Sequence, residues 1–327
     1  MMKKYRMMLG ATSAAIIAAL SMAMPALAGE GAGVVPRAAE RSASASRSMI
    51  LAATQAGQRL VAVGDRGVVL LSDDQGGSWR QASKVPVNAT LTGVSFADER
   101  NGWAVGHWGV ILHTDDGGET WTRQRVETSE DRPLFSVHFT DAQHGTAVGL
   151  WSLLLRTVDG GKTWDRVSLP PPPNDTRADR NLMHVFADRR GELFVVGERG
   201  TVLHSNDHGQ TWSYQATGYR GSFWSGTSLS DGTLLIAGLR GSLYRSTDGG
   251  DSWHKVATGT QSSITSIVPL ADRVLAVGLD GLTLESRDAG SSFEARQRAD
   301  RLSLTAAVAS DPNHVVFFSR AGIVAPQ

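Results

Sequence analysis

Apolar and polar residues alternate in short stretches, separated by glycine-rich turns, along the whole chain after residue 48. The clearest unit runs from 91 to 126. Residues 91–96 alternate as a half-buried strand should, 102–105 and 110–114 are two further apolar runs, and 120–126 is a fourth. Laid on this template, the other units open with innermost-strand candidates at 50–53, 134–139, 182–186, 223–229, 264–268 and 302–308.

Two turn signatures punctuate the units. Between the second and third runs stands an apolar pair followed by G-x-x-G, at 64–67, 106–109, 197–200, 238–241 and 278–281, with relaxed forms at 149–152 and 319–322. Between the third and fourth stands [ST]-x-D-x-G-x-[ST]-[WF], at 72–79, 114–121, 157–164, 205–212, 246–253 and 286–293. Seven units of about 42 residues, each with four short antiparallel strands, predict an all-β chain folded as a seven-bladed β-propeller. A linear solenoid would need polar capping repeats, and none is evident. The last unit ends at Gln327, a few residues into its third strand. Its outer strand is expected from the N-terminal segment 29–47, where Val34-Val35 precedes Pro36; proline is tolerated on an edge strand. The propeller itself is assigned to 48–327.

In the six repeated turns the aspartates Asp74, Asp116, Asp159, Asp207, Asp248 and Asp288 are placed to accept hydrogen bonds from their own hairpin. The glycine two positions on supplies a positive φ. The closing aromatics, Trp79, Trp121, Trp164, Trp212, Trp253 and Phe293, read as apolar plugs between strands. These are structural residues on this reading, with no catalytic part.

Composition is that of an ordinary globular protein, 41% hydrophobic and 20% charged with a formal net charge of zero. Residues 1–28 have the make-up of a secretory signal peptide. Lys3, Lys4 and Arg6 precede a short apolar core at 16–20, and Ala26-Leu27-Ala28 forms a small-x-small cleavage site. A periplasmic or secreted protein beginning at Gly29 is expected. Loss of those three cations leaves the acids slightly in excess, which argues against nucleic acid as the main partner. The absence of cysteine excludes disulfides, thiolate metal sites, cysteine nucleophiles and a lipoprotein anchor. The nine histidines show no ligand spacing, His107 and His113 of one hairpin included, so neither metal nor cofactor is expected.

The repeated aspartate turn is the Asp box, and the chain resembles the Asp-box (BNR-repeat) propellers. The coupling of A-V-G-x-x-G to an Asp box, as in 104–121, makes it most similar to the photosystem II stability and assembly factor family. That resemblance spans the whole mature chain and implies an exported seven-bladed scaffold that holds a membrane-protein intermediate without catalysis. The chain departs from the cyanobacterial pattern in lacking a lipobox cysteine. Relatives also occur in bacteria without photosynthesis, so the client need not be a photosystem, and a different membrane complex, such as an export system, is admissible.

Strand alternation sets the G-x-x-G hairpins and the inter-blade links on one face, the top, and the Asp boxes on the other. The hairpin column reads Arg66, Trp108, Trp151, Arg199, Arg240, Asp280 and Ala321, with Arg320 adjacent; the links add Arg132, Arg177, Arg180, Arg220 and Arg301. Arginine and tryptophan are the residue types enriched at binding hot spots, so this face is the candidate surface for a protein partner. The competing reading pairs these arginines with Asp65, Asp131, Asp179 or Glu198 as solvated ion pairs of little value. Link 169–181, with four prolines from Pro170 to Pro173, reads as a stiff extended segment projecting from the rim, either spacer or recognition arm.

Enzymatic rivals are few. A sialidase needs a tyrosine nucleophile in the pocket, and Tyr214, Tyr219 and Tyr244 all fall outside the innermost strands. A glycoside hydrolase using Asp65 with Glu198 or Asp280, or a carbohydrate-binding propeller, remains the alternative. The preferred reading is a monomeric, non-enzymatic module that binds a membrane protein or its exported loops and does not itself insert into the membrane.

Overall fold

The computed structural model describes residues 37–324, apart from 174, 175, 177 and 178. Seven antiparallel sheets follow one another along the chain, each ordered sequentially from inner to outer strand. Their first strands are Ile50–Ala56, Leu91–Phe96, Leu134–Phe139, Leu182–Ala187, Phe223–Ser228, Ile264–Pro269 and Leu304–Ala309. These open blades 1 to 7 of a propeller, close to the expected starts except that the last strand begins at Leu304 rather than at residue 302. Fourth strands are shorter than the alternation predicts. Blade 2 has Thr122–Arg125, and blades 1, 3 and 4 keep only Arg80–Gln81, Asp165–Arg166 and Ser213–Tyr214. An outermost strand has a single neighbour, so little holds it beyond the turn that feeds it.

The core lies between blades, not within them. Among the described residues seven apolar clusters form, each built from two adjacent blades. One joins Ile50, Leu60 and Leu70 of blade 1 to Ala306, Val308 and Phe318 of blade 7 and so seals the ring. Inner strands are clipped along the axis by side chains. The Thr92 hydroxyl donates to Leu134 O at 2.6 Å and that of Thr265 to Leu304 O at 2.8 Å. Thr305 does the same to Ile50 O at 2.5 Å, across the seam between last blade and first.

Every first strand carries a one-residue irregularity in its pairing with the second strand, just after its first residue. The unpaired residues are Leu51, Thr92, Phe135, Met183, Trp224, Thr265 and Thr305, and all of them line the axial cavity of about 190 Å³. A β-bulge re-aims the side chain it carries, and here it turns one residue per blade into the channel.

Val34-Val35, the expected closing strand, lies outside the described residues, as do residues 1–28, the expected leader. Among the described residues blade 7 has three strands, the last being Gly322–Ile323. The segment after Arg37 does not pair with it. Ala39 N–H donates to Val85 O at 3.0 Å, and Ser42 N–H donates to Gln81 Oε1 at 2.9 Å, both on blade 1 or its outgoing link. The same segment does take the place of an inter-blade link. Ser46 O lies over Gly322, where a Cβ would come within 2.0 Å of it, as Val87 O does over Gly67.

Candidate partner-binding face

The G-x-x-G hairpins are built by two separate demands for glycine. At Gly64, Gly106, Gly149, Gly197, Gly238 and Gly278 the backbone is extended, and a Cβ would stand about 2 Å from the carbonyl just before the first strand of the same blade, Met49 O for Gly64 and Thr90 O for Gly106. The second glycine answers to conformation. Asp65 O accepts from Val68 N at 3.0 Å across Arg66 (φ 55°) and Gly67 (φ 70°), which is a type I′ turn. In the relaxed hairpin Ser152 replaces that glycine at φ 53°, steadied by its N–H and hydroxyl on Arg180 O.

Type I′ turns favour asparagine, aspartate or glycine at their first central position. The chain has Arg66, Trp108, Trp151, Arg199, Arg240 and Asp280 there, all at φ between 52° and 60°. A non-glycine residue in this region costs about 1 kcal/mol or more. Five of the six are large cationic or aromatic side chains to which the turn itself gives no reward. Arg66 has 87% of its side chain exposed, Trp151 is 48% exposed, and Arg199 and Arg240 are exposed as well. Trp108 is half-buried and packs against the core between blades 1 and 2.

Four of the six tips are fixed from outside by an acceptor for their N–H. Trp108 N donates to Asp131 Oδ1 at 2.7 Å, Trp151 N to Asn181 Oδ1 at 3.1 Å, Arg240 N to Ser263 Oγ at 3.2 Å and Asp280 N to Ser303 Oγ at 3.1 Å. All four acceptors sit on the link leaving that blade. Arg66 N is met by its own neighbour, Asp65 Oδ1 at 3.0 Å, which Thr90 of the link also bonds. The sequence does carry a signal for these residues, a polar side chain immediately before the first strand at Thr90, Asn181, Ser263 and Ser303. It is visible only once the strand starts are known.

The link arginines divide. Arg132 is spent inside the fold, donating to Leu150 O at 3.3 Å and Trp151 O at 2.7 Å, so it props the Trp151 hairpin. Arg180 is half-buried and donates to Thr201 Oγ1 at 3.2 Å. Arg220 and Arg320 are exposed, and Arg177 lies outside the described residues. Leu169 packs into the core between blades 3 and 4 and Pro172 is buried, so the start of the proline link lies on the body instead of projecting from it. The acids proposed as ion-pair partners mostly serve the turns. Asp131 takes the Trp108 N–H and lies 3.2 Å from His107 Nδ1; Glu198 takes the N–H and amide of Asn181; the Arg66–Asp65 approach is 4.0 Å and solvated. Sequence patterning alone also missed the bulged ring at the channel mouth, where Phe135, Met183 and Trp224 give blades 3 to 5 half-buried large side chains close to the hairpins.

The opposite face is chemically closed. In the first Asp box Asp74 accepts from the Ser72 and Ser78 hydroxyls at 2.8 and 2.6 Å and from Ser78 N at 2.8 Å, while Ser72 Oγ accepts from Gly76 N. The Ser78 hydroxyl, then its N–H and the Ser72 hydroxyl, hold Asp74 at about 2, and Asp248 and Asp288 are held there by their matching serines. For Asp159 the Thr163 N–H leads; Asp207 is held at about 2 by Thr211 and Ser205 against a desolvation push upward. A carboxylate locked ionised by its own turn has no proton to give at neutral pH. The closing aromatics reach beyond their own strands into the neighbouring blade. Trp79 meets Phe318 of blade 7 edge-on at 5.5 Å, and Trp121 is 1% exposed among residues of blades 1 and 2. Among the described residues no group of histidine, aspartate and glutamate could hold a metal ion.

Known proteins locate this architecture. A solved structure described as YCF48 bound to D1 peptide superimposes with a TM-score of 0.68 at 18% identity, over 88% of this chain and 94% of that one. YCF48 from Cyanidioschyzon merolae gives 0.67 at 16% identity, over 85% and 95%. A GH74 xyloglucanase from Xanthomonas campestris gives 0.68 at 15% identity but is covered over only 53% of its length. At such identities these likenesses establish the propeller fold and nothing more. No curated protein matches the sequence. The family model for the photosynthesis system II assembly factor YCF48 matches residues 78–174 and 124–270, more than half of the chain, and the chain belongs to that family.

Proposed function

We propose that this protein is a non-enzymatic assembly module that presents its top face to a segment of a membrane-protein complex on the exported side of a membrane. The observation that carries this reading is the recurrence of Arg or Trp at five left-handed hairpin tips, four of them exposed, on one face. Conformational cost borne repeatedly for side chains that do nothing for the turn points to work done by those side chains on something else. Family membership and the relative solved with a D1 peptide support a protein as that something. Export rests on the leader at 1–28, and the client is a photosystem or another membrane complex. The carboxylates of the glycosidase alternative, Asp65, Glu198 and Asp280, sit on the hairpins of blades 1, 4 and 6 and bond hairpin or link groups there, which favours binding over hydrolysis.

The test is affinity capture from solubilised membranes with the exported protein and with a variant combining Arg66→Glu, Trp151→Ala and Arg320→Glu. The expected result is loss of the co-purifying partner with an unchanged circular dichroism spectrum. Recovery of the same partner at the same yield from the folded variant would refute the top-face reading.

A further inference from the structure

The axial cavity of about 190 Å³ draws its lining from the first strands of all seven blades, and its wall holds no aspartate, glutamate, lysine or arginine. His184 is its one ionisable side chain. Burial, with His138 adding to it, lowers that ring to about 4, so it is neutral at ordinary pH. The wall has two layers. At the mouth, Phe135, Met183 and Trp224 are half-buried apolar groups, while Thr92, Thr265 and Thr305 donate their hydroxyl protons to backbone carbonyls of the next blade. Below them stand the residues at which pairing with the second strand resumes after the bulge. Blades 3 to 6 place Ser136, His184, Ser225 and Ser266 there, whereas blades 7, 1 and 2 place only Ala306, Ala52 and Gly93.

The hydroxyls of this lower layer are unequally used. Ser136 Oγ accepts from Val185 N at 3.2 Å and lies 3.2 Å from His184 Nδ1. Ser225, only 6% exposed, and Ser266 of the next blade have no side-chain hydrogen bond among the described residues. A buried hydroxyl without a partner is costly, and native folds rarely keep one to no purpose. We infer that the axial cavity binds a small neutral aromatic molecule of the phenol or indole class, with its ring against Ala52, Gly93 and Ala306 and its hydroxyl or N–H on Ser225 and Ser266. Charge, size and polarity each narrow the class. An ion would lose its hydration with no opposite charge in the wall. A cavity of about 150 Å³ is enough to hold a benzene ring. About 190 Å³ therefore admits a ring with a small polar substituent. A sugar would bring many hydroxyls to a wall that has no carboxylate, carboxamide or guanidinium to align them. Such a ligand goes beyond the partner-binding role and needs none of the hairpin arginines.

The probes are phenol and indole, titrated calorimetrically into the whole protein, with benzoate and benzylammonium as the anionic and cationic controls. Phenol and indole should bind saturably at one site, and neither ion should. In nitrogen-15-labelled protein the Trp224 indole N–H resonance, assigned by its loss in Trp224→Phe, should shift as either probe is added. Ser225→Ala with Ser266→Ala should lower phenol affinity about fivefold. Ala52→Leu fills the space and should abolish binding of both probes; the serine pair, a conservative change, carries the test if that variant does not fold. Absence of saturable binding, benzoate or benzylammonium binding as well as phenol, or phenol affinity unchanged in the folded variants would each overturn the inference. Binding of the blocked peptide acetyl-Gly-Tyr-Gly-amide, with a shift at Trp224 where phenol gives none, would overturn it too, since the cavity would then be a socket for a partner's side chain.

Discussion

The two ends of each blade are built from equally repetitive turns, yet they use their side chains in opposite ways. At the Asp-box end the motif's polar side chains are consumed within the turn: Asp116 takes the Thr114 and Thr120 hydroxyls and the Thr120 N–H, and the Trp121 indole N–H donates to Gly118 O at 2.8 Å. At the hairpin end the repeated glycines satisfy the backbone and the link acceptors fix it, while the side chain at the tip is left over. The aspartate is the same in all six boxes, but the tip varies from Arg to Trp to Asp. A position whose side chain closes its own turn has one solution. One whose side chain faces outward can be adapted blade by blade, so the louder motif is the structural one.

That contrast breaks if the two ends respond alike to substitution. The largest effect is expected at Trp121. Trp121→Ala empties a fully buried site between two blades and should destabilise the protein by about 3–5 kcal/mol, read from the denaturation midpoint. Asp116→Ala leaves two hydroxyls and an N–H without their acceptor and should cost about 2 kcal/mol by the same measurement. At temperatures where either variant is folded, partner capture should be unchanged.

Acid should act on the first strands and then on the Asp-box face. Burial lowers His138 and His184 from 6.5 to about 4. The unfolded chain therefore binds protons first, and stability should fall as pH drops from about 6.5 to about 4. The Asp-box carboxylates, lowered from 3.8 to about 2, contribute stability that is complete above about pH 4 and is lost as pH falls through 2. Denaturant midpoints measured from pH 7 to pH 2 should show both limbs, and His138→Phe should flatten the first while sparing the second. The smallest change in stability is expected at the top. Arg66→Glu and Trp151→Ala should each shift the midpoint by less than about 0.5 kcal/mol while weakening capture, because both side chains are exposed.

Blade number, strand order and the two faces were legible in the chain because each depends on local chemistry repeated at a fixed spacing. The alternation at 91–96 and the Asp box at 114–121 predict a strand and a turn without reference to anything distant. Other features were hidden because they join residues far apart. That Trp79 plugs the gap to Phe318 follows from the ring closing, as does the Thr305 clip onto Ile50. The role of Arg132 as a prop for Trp151, and not as a contact for a partner, depends on how the outgoing link folds back on the hairpin.

The propeller and the identity of its stapling turns follow from the order of residues, since period, glycine placement and the aspartate turn are properties of each unit alone. Which arginines are spent and which are left facing solvent depends on the folded blades, as does the cleft at the blade 5 hairpin, lined by cations from a link, a hairpin and an outer strand and by no carboxylate. Charge balance at a site is set by neighbours in space, and Arg220, Arg240 and Lys255 become neighbours only when the blade is folded.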